Sequence, residues 1–140
     1  MKKTFGLIMI VIVGIGLYQI FRRPRAGDIT PPPLIVPLQT IHQSGAAGQA
    51  KIEEVDGQAR VTINLTGLPR EVPQPVHLQR GDCSSLGESI YTLSPAINGA
   101  SETTLTVALA AIVNNLPLAL SVYRSDTLTE TVACGDIINK

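Results

Sequence analysis

Residues 50 to 65, AKIEEVDGQARVTINL, constrain the fold more than any other stretch of the chain. Ala59, Val61, Ile63 and Leu65 alternate with Gln58, Arg60, Thr62 and Asn64, the period of two that buries one face of a strand and wets the other. Asp56-Gly57 separates this run from KIEEV, and a two-residue type I′ turn needs positive φ at both central positions, which Asp-Gly tolerates. A hairpin there commits the chain to antiparallel sheet. Further strands are expected at Leu38 to Gln43, Val76 to Arg80, Ile90 to Leu93, Thr103 to Ala108, Leu118 to Arg124 and Thr127 to Ala133, with turns at Asn98-Gly99 and Ser125-Asp126. The apolar run 105 to 120 is interrupted by Asn114, Asn115 and Pro117, so it reads as strand, short helical turn near Ala108 to Val113, then strand. Short, turn-punctuated strands without a long helix predict an all-β domain, a β-sandwich or flattened Greek-key barrel of immunoglobulin-like layering.

The N-terminal quarter has a different texture. Phe5 to Phe21 carries no charge, with Lys2 and Lys3 before it and Arg22, Arg23 and Arg25 after it. A helix of that length spans roughly 25 Å, enough to cross a bilayer when flanking basic side chains snorkel. A cleaved secretory signal also begins with basic residues and an apolar stretch, but it ends in small residues. Here Tyr18, Gln19, Ile20 and Phe21 run into the arginines, which favours an uncleaved anchor. The predicted organisation is a basic segment at 1 to 4, a transmembrane signal anchor at 5 to 21, a proline-rich stalk at 22 to 37 and a β domain at 38 to 140. Pro24, Pro31, Pro32, Pro33 and Pro37 argue for an extended spacer.

Charge and cysteine usage set the compartment and exclude some partners. Five of the eleven basic residues lie in 1 to 25, whereas all eleven acidic residues lie beyond it. A mildly acidic domain is a poor match for nucleic acid or for an anionic membrane surface, and no Gly-rich loop after a strand supports nucleotide binding. Cys83 and Cys134 are the only cysteines. Far apart and outside any CxxC spacing, they fit one disulfide in an oxidising compartment better than a metal cage. The expected location is membrane-anchored with the domain outside the cytoplasm, at the cell surface or in the periplasm of a bacterium.

PVHLQRGDC at 75 to 83, VYRS at 122 to 125 and VACGDI at 132 to 137 together resemble the bacterial copper/zinc superoxide dismutase-like domains, in which these stretches read roughly AHIHxGxC, VHxS and ACGxI. HQSGAAGQA at 42 to 50 and INGASETTL at 97 to 105 add two weaker matches, so the resemblance covers about residues 38 to 137. The neighbouring chordin-type CHRD domains share the architecture, but the paired GxC and ACG cysteines favour the dismutase-like branch. The resemblance implies a Cys83–Cys134 disulfide and a copper site on one strand face. Copper dismutation needs several imidazoles and an open position. In this chain only His77 of those histidines remains, with Gln79 and Tyr123 at the other ligand-equivalent places.

Period-two alternation turns Val76, Leu78, Leu118, Leu120 and Val122 toward the core, and His77, Gln79 and Tyr123 toward the opposite face. The second histidine, His42, has no inherited role, and each imidazole is expected to be partly exposed and to bond a neighbouring backbone group. Ser84, Ser85 and Ser89 lack a nucleophile-elbow motif and read as loop residues. Glu53 and Glu54 face opposite sides of their strand and form no catalytic pair. The Asn64-Leu65-Thr66 sequon lies within a strand and is read as chance. No zinc loop accompanies the short turn after His77. The expected function is a non-catalytic binding or structural module of the cell envelope, with an envelope protein as partner. The rival readings are a superoxide dismutase or a weak copper-binding protein using His77.

Overall fold

Asp56 and Gly57 take φ values of 51° and 76°, the backbone that the alternation on either side requires. In the computed structural model, which describes residues 30 to 125 and 128 to 138, this turn joins β2 (Ala47–Val55) to β3 (Gln58–Thr66) in continuous antiparallel register from Val55↔Gln58 to Ala47↔Thr66. Ala59, Val61, Ile63 and Leu65 are buried, as their spacing demands. The remaining strands are β1 (Leu34–Thr40), β4 (Gln74–Asp82), β5 (Ser85–Ala96), β6 (Ala100–Thr104), β7 (Leu118–Tyr123) and β8 (Thr131–Ile137). Among the described residues one short helix, α1 (Leu109–Val113), falls where the apolar run was expected to turn. Ala108 gives it no side-chain cap. Instead the Glu54 carboxylate accepts the Leu109 N–H at 3.0 Å, satisfying a donor that a helix start leaves open.

The eight strands of the described residues are antiparallel and lie in the order β5-β4-β7-β8-β1-β2-β3-β6. Strands β3 and β6, and β4 and β7, are neighbours in space though not in sequence, the returning connections of the Greek-key kind. The two ends of this order come together to make a nearly closed barrel-like sheet: Ser94 N–H donates to Thr103 Oγ1 at 2.8 Å, and Ser101 Oγ–H donates to the Ser94 carbonyl at 2.6 Å. The interior is filled by branched aliphatic residues, among them Ile52, Ile63, Leu78, Leu120 and Ile112. No described helix is long and apolar enough to cross a membrane. The expected anchor at 5 to 21, the basic segment at 1 to 4 and the first half of the stalk, 22 to 29, lie outside the described residues.

Several strand boundaries depart from expectation. The stalk was assigned through Pro37, yet β1 begins at Leu34 and pairs with β2 as far as Leu38. The chain tolerates Pro37 because of where its missing N–H would point. Ile41 N–H donates to the Val132 carbonyl at 3.0 Å, so by antiparallel alternation the odd-numbered residues of β1 turn their N–H groups toward β8 and away from β2. Pro37 therefore costs the β1–β2 ladder nothing and ends the β1–β8 ladder, which is confined to Gln39↔Cys134 and Thr40↔Ala133. Next to it, a Cβ on Gly135 would sit 2.3 Å from the Pro37 carbonyl oxygen. Only glycine lets β8 cross β1 so closely.

Strand β5 was expected only at Ile90 to Leu93, but it runs from Ser85 because it shadows β4, with register shifts at Leu78/Gln79 and Gln79/Gly81. Strand β6 ends at Thr104 rather than reaching Ala108, since the chain must leave the sheet for α1. Strand β8 starts at Thr131 and extends to Ile137, four residues beyond expectation.

One core residue breaks the apolar rule. Gln74 is fully buried at the start of β4, and neither of its amide atoms has a hydrogen-bond partner among the described residues. An unpaired buried amide costs about 1 to 3 kcal/mol. Gln74→Met keeps the length of the side chain and removes the amide, so chemical denaturation is expected to show a stabilised domain. A destabilised variant would mean that the amide is paired.

Candidate functional site

Register decides which side chains meet. In β4 and β7 the pairs are Val76↔Val122, His77↔Ser121, Leu78↔Leu120 and Gln79↔Ala119. Val76, Leu78, Leu118, Leu120 and Val122 are buried in the core as expected. His77, Gln79, Ser121 and Tyr123 share the opposite face, where sequence reasoning placed three of them; Ser121 was missed. A usable signal was present, because that face carries only uncharged polar groups across VHLQ and LSVY, which is unusual for strands open to water.

That face is covered, which corrects the expectation of outward, partly exposed side chains. His77 and Gln79 are each 9% exposed and Ser121 is 0% exposed. The cover is the β4–β5 hairpin. Its tip is tied to β8 by the Cys83–Cys134 disulfide, with a Cα–Cα distance of 5.9 Å. Cys134 pairs with Ser121, and Ser121 pairs with His77, so the disulfide brings the tip back to the row in which β4 carries its histidine. The Asp136 carboxylate reinforces the tie by accepting the Cys83 N–H at 2.7 Å. Within the tip, Asp82 accepts Ser84 N–H, Ser84 Oγ–H and Ser85 N–H, and the Ser84 bonds hold its carboxyl below the usual carboxylate range. Of the three serines read as loop residues, Ser84 lies in the turn, whereas Ser85 and Ser89 belong to β5.

Beneath the hairpin the polar groups satisfy one another. Gln79 Oε1 accepts hydrogen bonds from Ser121 Oγ–H and from Tyr123 OH, the second at 2.9 Å. Gln79 Nε2–H donates to the Gly87 carbonyl at 3.1 Å. These partners fix the orientation of the amide, because a carbonyl must face the nitrogen and two hydroxyl donors the oxygen. His77 Nδ1 lies 2.8 Å from Ser89 Oγ and 3.5 Å from Thr92 Oγ1, so its partners are side chains of β5 rather than the backbone group expected. Its ring meets Tyr123 edge-on at a centroid distance of 5.7 Å. Burial pushes the His77 imidazole below its ordinary value, which favours the neutral ring.

The other sequence-flagged residues lie elsewhere. His42, at φ 51°, has Nδ1 3.4 Å from the Thr131 carbonyl oxygen, a backbone partner as expected. Glu53 pairs with Lys51 at 2.9 Å while Glu54 caps α1, so the two carboxylates do separate work. Among the described residues, no three His, Cys, Asp or Glu side chains gather where they could hold a metal ion.

No family model, no curated protein and no solved structure matches the chain. The chemistry of the site must be argued from its own groups. A copper ion at this face would need several imidazole nitrogens and an open position. The residues present do not fit it: the face offers one imidazole, with Nδ1 engaged by Ser89, an amide oxygen that already accepts two hydrogen bonds, and a phenol that donates its proton to that oxygen.

Proposed function

We propose that the chain is a copper/zinc superoxide dismutase-like domain in which a hydrogen-bonded plug has replaced the metal site. It serves as a membrane-anchored, extracytoplasmic and non-catalytic binding or structural module of the cell envelope. The returning β3–β6 and β4–β7 neighbours, the disulfide between PVHLQRGDC and VACGDI, and the apolar segment at 5 to 21 support this reading. The observation that carries it is the double acceptance at Gln79 Oε1, from Ser121 and Tyr123. Binding a metal there would require breaking both bonds and deprotonating a phenol.

Copper titration of the purified full chain, followed by a superoxide-removal assay, tests the reading. Neither stoichiometric binding at sub-micromolar affinity nor turnover is expected. In the double variant Gln79→His, Tyr123→His three imidazoles occupy the face, and copper binding is expected to appear. If the wild-type chain binds copper and loses it in His77→Ala, the module reading is wrong. Turnover in addition would make the protein a dismutase, and binding without turnover a copper carrier.

A further inference from the structure

The prolines that bracket the start of β1 leave a cleft in the barrel wall. The β1–β8 ladder stops at Gln39, and beyond it a cleft of about 590 Å³ is lined by Pro32, Pro33, Ile35, Pro37, Asp136 and Ile138, with Leu34, Val36 and Ile137 at its base. The two isoleucines at its rim are the most exposed large apolar side chains in the described domain, Ile35 at 54% and Ile138 at 63%. Apolar surface gathered at one place, rather than scattered singly, marks a contact site.

The cleft's own backbone disfavours an added strand. Between Pro33 and Pro37, Ile35 alone turns an N–H away from β2, and a peptide adding to β1 would find one donor flanked by two residues without any. Position along the chain favours another occupant. Residues 22 to 33, all that separates the apolar segment 5 to 21 from β1, reach about 40 Å when fully extended. One wall of the cleft is built from the end of that tether and the first residues after it, the other from the end of β8. Ile97, also exposed, sits in the β5–β6 turn at the far end of the strands.

We propose that the cleft between the start of β1 and the end of β8 docks on the lipid bilayer, seating Ile35 and Ile138 at the boundary between headgroups and acyl chains. This rests on the membrane-anchored reading above. The contact is apolar rather than electrostatic, because Asp136 is the charged residue lining the cleft and acidic residues outnumber basic ones beyond residue 25. Docking therefore needs no anionic lipid and survives salt.

The test uses the full chain in phosphatidylcholine vesicles, with a photoreactive benzoylphenylalanine replacing Ile138, Ile35 or, as control, Ile97. The expected result is a phospholipid adduct at 138 and at 35, background at 97, no loss with added salt and no gain with anionic lipid. Ile35→Asp is expected to abolish the adduct at 138 while the chain stays in the vesicles through an alkaline wash. A chain that stays in the vesicles without an adduct at 35 or 138, or whose adduct is with a second copy or another protein, overturns the docking and leaves the anchor standing. Equal labelling at 97 also overturns it. A chain washed from the vesicles overturns both.

Discussion

Replacing the disulfide by Cys83→Ser with Cys134→Ala is expected to lower the unfolding free energy by about 4 kcal/mol, the chain-entropy value for a loop of this length. The two cysteines are 51 residues apart, so the reduced chain regains the freedom of a loop holding β5, β6, α1 and β7. The domain has little to offset that gain. Both phenylalanines, at positions 5 and 21, precede it, and the chain has no tryptophan, so its core is aliphatic. A stability of roughly 5 to 15 kcal/mol is usual for a domain of this size, of which 4 kcal/mol is a large part. Alanine is chosen at position 134 because that side chain is 2% exposed, and a new hydroxyl there would add its own penalty. In urea titrations the wild-type midpoint should fall to the variant's value under reductant, while the variant should not respond. Oxidised wild type and variant agreeing within about 1 kcal/mol would mean that the Asp136–Cys83 bond and the β4–β5 ladder hold the hairpin without the disulfide.

How much of this was legible in the sequence depended on whether the information was local. The Asp56-Gly57 hairpin and the inward residues of β4 and β7 were readable because period-two alternation and turn chemistry lie within a few residues of one another. β5 was truncated because Ser85, Gly87, Glu88 and Ser89 show no alternation; their strand is dictated by pairing with β4 and is largely exposed. The start of β1 was missed for a subtler reason. Proline reads as a breaker, and whether it breaks a strand depends on which neighbour its absent N–H would have faced, here β8 rather than β2. The site was half legible: His77, Gln79 and Tyr123 were placed on one face, but their burial was not foreseen, because the cover is a hairpin folded back by a bond to a residue 51 positions away.

The same non-local arrangement makes Gln79→Ala the second large effect, a loss of about 3 kcal/mol in equilibrium unfolding. The side chain makes three hydrogen bonds, and alanine leaves the Gly87 carbonyl, the Tyr123 hydroxyl and the Ser121 hydroxyl without this partner. Ser121 is fully buried, and its remaining acceptor, the His77 carbonyl at 3.4 Å, is distant. Desolvated groups left unpaired account for most of the cost, so removing them together should be far cheaper than removing one. The triple variant Gln79→Leu, Ser121→Ala, Tyr123→Phe is therefore expected to recover most of the stability lost in Gln79→Ala, a strongly non-additive result. If it instead falls further, the network is a net source of stability and the face is needed to hold the hairpin down. If it recovers, the plug is dispensable for folding, and the three polar side chains are not what holds the domain together.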